Sequence, residues 1–459
     1  MEQITKPHCG ARLDRLPDCR WHSSMFAIVA FGLLVCWSNA VGGLILAQLK
    51  ALGWTDNSTT ATFSAITTAG MFLGALVGGI IGDKTGRRNA FILYEAIHIA
   101  SMVVGAFSPN MDFLIACRFV MGVGLGALLV TLFAGFTEYM PGRNRGTWSS
   151  RVSFIGNWSY PLCSLIAMGL TPLISAEWNW RVQLLIPAIL SLIATALAWR
   201  YFPESPRWLE SRGRYQEAEK VMRSIEEGVI HQTGKPLPPV VIADDGKAPQ
   251  AVPYSALLTG VLLKRVILGS CVLIAMNVVQ YTLINWLPTI FMTQGINLKD
   301  SIVLNTMSMF GAPFGIFIAM LVMDKIPRKT MGVGLLILIA VLGYIYSLQT
   351  SMLLITLIGF FLITFVYMYV CYASAVYVPE IWPTEAKLRG SGLANAVGRI
   401  SGIAAPYAVA VLLSSYGVTG VFILLGAVSI IVAIAIATIG IETKGVSVES
   451  LSIDAVANK

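Results

Sequence analysis

Twelve apolar runs, each long enough to cross a bilayer, constrain this chain more than any other feature. The hydrocarbon core is about 30 Å thick and a helix rises about 1.5 Å per residue, so a crossing needs roughly 20 apolar residues. Six such runs fall near 25–47, 60–82, 90–108, 112–136, 150–173 and 182–200, and six more near 265–290, 302–323, 330–348, 352–377, 391–413 and 418–440. Numbered in order, they are spans 1 to 12. Lipid offers no partner to a backbone amide, so runs of this length must be helical. The expected fold class is an all-α membrane protein with twelve transmembrane helices in two six-helix bundles. Helix-breaking Gly and Pro near spans 10 and 11 predict irregular geometry there.

A polar stretch separates the halves. It holds Arg207, Arg212, Arg214, Lys220 and Arg223 among many glutamates. Residues 206–228 read as amphipathic helix and 234–239 as loop. The chain therefore divides into an N-terminal tail (1–24), a first bundle (25–200), a helical linker on the cytoplasmic surface (201–264), a second bundle (265–440) and a C-terminal tail (441–459).

Composition agrees with a lipid-facing surface. Only 12% of the 459 residues are charged, where a soluble protein carries roughly 25%. The formal charge of +8 does not point to nucleic acid, because no basic stripe with interleaved aromatics occurs. The basic residues instead fall on one side. Lys84, Arg87, Arg88, Arg143, Arg145, Lys325, Arg328, Lys329, Lys387 and Arg389 share a side with the basic tail, and the opposite loops hold only Lys50, Arg181 and Lys299. That asymmetry predicts both termini in the cytoplasm. No cleavable signal is expected. The short first outer loop suits a bacterial inner (plasma) membrane, although Asn57-Ser58-Thr59 is a glycosylation sequon. Seven cysteines without a CxxC, and only four histidines, predict buried thiols rather than disulfides, and no metal site.

An internal repeat is written in charge. Asp83-Lys84-x-Gly86-Arg87-Arg88 follows span 2 and Asp324-Lys325-x-Pro327-Arg328-Lys329 follows span 8, 241 positions later. Glu138 to Arg145 after span 4 corresponds to Glu380 to Arg389 after span 10, and Glu204 after span 6 corresponds to Glu442 after span 12 at an offset of 238. Motifs recurring at nearly one offset imply a duplicated six-helix unit, which places a solute site between the halves near the midplane.

These residues resemble the major facilitator superfamily over essentially the whole chain. The resemblance is carried by Gly79-x-x-x-Asp83-Lys84-x-Gly86-Arg87-Arg88 and by Arg118-x-x-x-Gly122-x-Gly124-x-Gly126. Pro203-Glu204-Ser205-Pro206-Arg207-Trp208-Leu209 and Pro379-Glu380-x-x-Pro383-Thr384 are similar to the sugar-porter and organic-ion branch, which carries sugars, niacin, aromatic acids and organic ions. It implies a secondary transporter working by alternating access, without a cofactor and as a monomer. It also implies a cytoplasmic latch of Asp83, Arg87, Arg88, Glu138, Arg145, Glu204 and Arg207, with a second copy in Asp324, Arg328, Glu380 and Arg389, closed when the site faces outward and broken when it faces inward. The simpler reading is that these charges anchor helix ends among headgroups.

Other classes find no support in the residues. Asp83-Lys84-Thr85 lacks the glycines and order of a phosphate loop, and neither GxSxG nor HExxH occurs. No enzyme is expected; a non-transporting receptor on the same fold remains the outside reading.

Ionisable groups deep in a span are functional candidates. Arg118 in span 4 corresponds to an arginine that the family uses beside its substrate and coupling site. Arg399 lies about ten residues into span 11, roughly 15 Å deep, where organic-anion carriers of this branch also use an arginine. Around them, Ser38 and Asn39 of span 1, Asn157 and Trp158 of span 5, Asn277, Gln280, Tyr281, Asn285 and Trp286 of span 7 and Tyr372 of span 10 form an expected amide-rich, aromatic-walled site. Two buried cations without evident acidic partners favour an organic acid anion, aromatic or otherwise; a sugar or polyol is the alternative.

Proton coupling by the family's usual route lacks its acid. Positions 25–49 contain none, and the sugar-porter aspartate falls at Ser38. Uniport, exchange, or coupling through Glu95, His98 or Glu138 remain. Glu95 and His98 share a face of span 3 and read first as a structural pair, second as a titrating one.

Overall fold

A computed structural model describes residues 7–17, 19–35, 37–141, 145–240, 253–383 and 386–444. Nine helices among the described residues are long and apolar enough to cross a membrane. Spans 2, 3, 4 and 6 are Asn57–Thr85, Arg87–Ala106, Met111–Tyr139 and Ala176–Tyr201, and spans 7 to 10 are Gly260–Thr293, Leu298–Val322, Arg328–Ser347 and Met352–Glu380. Spans 11 and 12 run through one assigned helix, Lys387–Ile439, joined at Gly417, whose φ of 64° and ψ of −158° break the helical path. Span 1 is broken into Arg20–Val35 and Gly42–Ala51, and span 5 into Arg145–Gly156 and Ser159–Leu170. Twelve spans result, as the sequence predicts.

The breaks have local causes. Pro161 lacks the amide that would bond the carbonyl four residues back and its ring crowds that carbonyl, at Asn157, which is where span 5 turns. Pro313 does the same at Met309, where span 8 divides into Leu298–Met309 and Gly311–Val322. Span 10 ends in a π-helical stretch, Cys371–Tyr377, just before Pro379, so its expected irregularity is present.

Packing gathers the chain into two compact units. One comprises Met1–Asn39, Gly70–Ser159 and Leu184–Gly246, the other Ala40–Ala69, Tyr160–Gln183 and Lys247–Lys459. Spans 1, 2, 5 and 6 thus each contribute to both.

Small residues set how closely the helices approach. In the first unit, a Cβ added to Gly70, Gly74 or Gly78 of span 2 would come within 2.3, 2.0 or 2.6 Å of Phe119, Val123 or Ala127 of span 4. In the second, Gly311 and Gly315 of span 8 stand 2.4 and 2.3 Å by the same measure from Phe360 and Thr364 of span 10. Gly70 and Gly311, Gly74 and Gly315, Phe119 and Phe360, and Val123 and Thr364 are all 241 positions apart. The duplication read from charged motifs therefore extends into buried packing, which in lipid depends on close contact rather than on the hydrophobic effect.

The linker forms helices Pro206–Ser211 and Tyr215–Thr233, separated at Gly213 with φ of 72°. The short helix Cys9–Asp14 lies against them. Cys9, Leu13 and Leu16 are buried with Trp208, Leu209, Ala218, Met222, Ile225 and Val229. Arg12 bonds both Glu219 and Glu226, and Arg15 reaches Glu226 at 2.6 Å. Burial opposes the charge on Glu219 and Glu226, but the guanidiniums bonded to them outweigh it and hold both carboxyls below the usual glutamate range.

Candidate functional site

Three kinds of polar grouping stand out, the first occurring once in each unit and the others within a single unit.

The first fastens helix ends. Arg87 donates to Glu138 at 3.0 Å and to Asp83 at 2.7 Å. Its backbone amide and that of Arg88 donate to Glu204 Oε1 at 2.7 and 3.3 Å. A glycine precedes this helix and has no side chain to cap it, so Glu204 supplies the acceptor from another element. The second unit repeats the pattern. Arg328 bonds Glu380 at 3.0 and 3.1 Å and Asp324 at 3.2 Å, and the amides of Arg328 and Lys329 donate to Glu442 at 2.8 and 3.1 Å. Backbone bonds hold Glu442 ionised against the cost of its burial, below the usual glutamate range. Glu442 was legible only as part of the repeat, and it is the counterpart of Glu204.

Several expected members of the latch stand elsewhere. Arg207 pairs with Asp14 of the tail at 2.9 Å. The Arg88 guanidinium donates to the Trp199 carbonyl at 2.5 Å. Arg389 lies over the ring of Tyr254 at 5.2 Å. The Arg145 side chain lies outside the described residues.

The second grouping is buried in the first unit at the break in span 1. Arg118 Nη1 donates to the Ser38 carbonyl at 2.7 Å. His98 Nε2 lies 2.7 Å from the Ser38 hydroxyl, and its Nδ1 lies 3.5 Å from Glu95 Oε2. All four residues are essentially without exposed surface. Glu138, the third coupling candidate, belongs to the helix-end cluster instead. Asn39 is half-buried beside Ser38. Asn157 donates to the Ser153 carbonyl at 2.7 Å, and Trp158 is 38% exposed.

The third grouping lies in the second unit. Gln280 and Tyr281 of span 7 gather with Tyr160 of span 5 and Tyr367 of span 10, and the two tyrosine rings meet edge-on at 5.3 Å. Asn277 is buried and bonds the Leu273 carbonyl at 2.7 Å. Glycines of span 11 make room: Gly398 presses on Leu273 and Asn277, and Gly402 on Tyr281 and Thr68. Between these glycines in sequence comes Arg399, half-buried, with Nη1 enclosed and without a hydrogen-bond partner among the described residues. Asn305 donates to Ser164 at 3.1 Å in the same unit. Tyr160 and Tyr367 are among the aromatic residues that the sequence clusters in spans 5 and 10, and Ser164 is an addition to the expected set.

Two expected lining residues serve packing. Trp286 is fully buried in an apolar cluster with Ala61, Ile290 and Val409, and Tyr372 stacks on Tyr377 at 5.0 Å, against Gly332 of span 9. Period alone does not say which face of a helix a ring takes when both faces are apolar. Asn285 is buried beside Trp286.

The chain matches the Major Facilitator Superfamily over residues 25–406 and belongs to that family. It is 44% identical to the inner membrane metabolite transport protein YdjE of Escherichia coli (strain K12), over 98% of this chain and 99% of that one. It is 25% identical to the niacin transporter NiaP of Acinetobacter baylyi, over 96% and 99%. Its fold is that of the xylose transporter XylE from E. coli in a partially occluded inward-open conformation, with a TM-score of 0.73 at 18% identity over 93% and 100% of the two chains. The protein is therefore a multi-pass secondary transporter of small molecules and not an enzyme.

Proposed function

We propose that the protein carries a small organic acid anion by alternating access. The observation that carries this reading is Arg399, whose enclosed Nη1 has no partner among the described residues. A guanidinium stays protonated at any physiological pH, and leaving its enclosed nitrogen without a partner costs about 1–3 kcal/mol. A carboxylate solute would offset that cost and match the planar fork with two parallel bonds. Asn277, Gln280, Tyr160 and Tyr367 would orient a ring-bearing body through amides and phenols. A relative named as a niacin transporter, whose solute is an aromatic carboxylic acid, agrees with this reading.

One observation favours a sugar or polyol instead. The amide and tyrosine groups around Gln280 carry no charge and offer both donors and acceptors, which suits a polyhydroxylated solute. A thermal-shift screen of purified protein against nicotinate, benzoate, dicarboxylates, xylose and inositol separates the two, since a ligand that binds only the folded state raises apparent stability. A neutral best ligand would sink the anion reading. Flux of that ligand into proteoliposomes distinguishes a carrier from a receptor on the same fold.

In this reading the bundles 25–200 and 265–440 move as bodies, each stiffened at one end by its carboxylate–arginine cluster. The positive residues keep those ends and both termini in the cytoplasm of a bacterial inner membrane, and the working unit is a monomer.

A further inference from the structure

The break in span 1 brings one titratable pair into contact with the residue next to the crossing between the two units. Ser38 sits in the turn between Arg20–Val35 and Gly42–Ala51, and the chain leaves the first unit after Asn39. Both polar groups of Ser38 are engaged from other helices, its carbonyl by Arg118 at 2.7 Å and its hydroxyl by His98 at 2.7 Å. Gly124 of span 4 permits this approach, since an added Cβ would come within 2.9 Å of the His98 backbone nitrogen. Glu95 approaches the imidazole from its own helix, Arg118 of span 4 bonds the carbonyl of the same Ser38, and span 1 presents the neutral Ser38 hydroxyl.

We propose that Glu95 and His98, with the Ser38 hydroxyl, form a buried proton-binding site that takes up one proton with each solute carried. The chemistry is a single transfer. Before uptake, the imidazole carries one N–H toward Glu95 and its Nε2 accepts from the Ser38 hydroxyl. The incoming proton goes onto Nε2, so that Nε2 now donates and the Ser38 oxygen accepts. The hydroxyl hydrogen must then turn to another acceptor. Protonation is thereby reported at the break in span 1 by reversing one hydrogen bond. An imidazole is suited to this, being the side chain whose ordinary charge change falls between pH 5 and 8.

Charge balance gives the coupling its sign. The added proton brings one more positive charge into a buried site. An arriving anion restores the balance, so proton and anion each favour the other's binding. This sign rests on the organic-anion reading; the proton site does not.

Infrared difference spectra of the full chain in lipid, recorded from pH 5 to 9, test the site without any solute. A titrating imidazole band is expected, lost in His98→Gln and retained with a shifted midpoint in Glu95→Gln and Ser38→Ala. Persistence of the same titration in His98→Gln overturns the proposal. Should those variants fail to fold, nitrogen NMR of a chain carrying His8→Gln, His22→Gln and His231→Gln reads His98 with its network intact. A His98 that holds one charge state across that range also overturns it. In proteoliposomes, internal acidification accompanying nicotinate supports proton–anion symport. Proton entry with xylose but not nicotinate leaves the site standing and removes the anion reading, and solute entry without protons overturns the coupling.

Discussion

Glu204 accepts the backbone N–H of Arg87 at 2.7 Å through a carboxylate more than a hundred positions along the chain. The same oxygen takes the amide of Arg88, so one side chain satisfies two of the orphan donors that open span 3. Glu204→Gln keeps the shape and loses the charge that favours a helix N-terminus. It should lower stability by about 1–2 kcal/mol and slow transport. Asp83→Asn should cost less, below about 0.5 kcal/mol, because Asp83 is 63% exposed in its pair with Arg87. Thermal unfolding and solute flux for the two variants check the order; equal effects would refute it.

Gly86 and Pro327 occupy matching places with opposite demands. Gly86 has φ of 96°, and an added Cβ would lie 2.2 Å from the Glu204 carboxylate. Gly86→Ala should destabilise by at least about 2 kcal/mol through backbone strain and the displaced carboxylate. Pro327 has φ of −55°, so Pro327→Ala should change stability by less than about 1 kcal/mol. Comparison of their melting temperatures tests this.

The glycine stripes predict another matched pair. Gly74→Leu and Gly315→Leu drive bulk into backbone carbonyls of spans 4 and 10, and each should cost about 3 kcal/mol or more through forced separation of the helices. Size-exclusion profiles of the two variants should show loss of monodisperse protein. Normal profiles would mean that the helices part more easily than the close packing implies.

Arg399 sets a graded series if the solute is an anion. Arg399→Lys keeps the charge but not the fork, and Arg399→Ala removes both. A lost charge-assisted contact costs about 1.5–3 kcal/mol, or roughly 10- to 150-fold in affinity. Dissociation constants should rank wild type tightest, Lys intermediate and Ala weakest. An affinity indifferent to Arg399→Ala would refute the assignment.

The tail should undock in acid. Glu219 and Glu226 have folded values depressed from the usual 4.5, so their contribution to docking is complete above that value and is lost as pH falls through the depressed values. Proteolysis near residue 12 should be slow at pH 7 and accelerate below about pH 4, and Arg12→Ala should cleave fast at both. A pH-independent rate would contradict the pairing.

Much of this was legible in order along the chain. Span lengths follow from hydrocarbon thickness, the duplication from charged motifs at one offset, and the linker helices from apolar spacing. The breaks at Asn157 and Met309 were not expected from sequence, since Pro187, Pro288 and Pro406 lie inside helices that run on past them. The missing parts are contacts between distant residues. Ser38 reads as standing where sugar porters carry an aspartate, but nothing in its neighbours says that His98, sixty positions away, will meet it. Likewise Tyr372 and Trp286 look like cavity residues until the opposing helices are in place.

The docked tail also imposes an order on synthesis. Arg12 finds Glu226 across 214 positions, and six spans lie between them. At about 5–20 residues per second, the ribosome needs roughly 10–40 s to deliver the partner after the tail has emerged. Throughout that interval Cys9, Leu13 and Leu16 have no linker to cover them. The sixth span and the linker must therefore be made before the first dozen residues reach their final place, and closure of the tail marks the first half as complete.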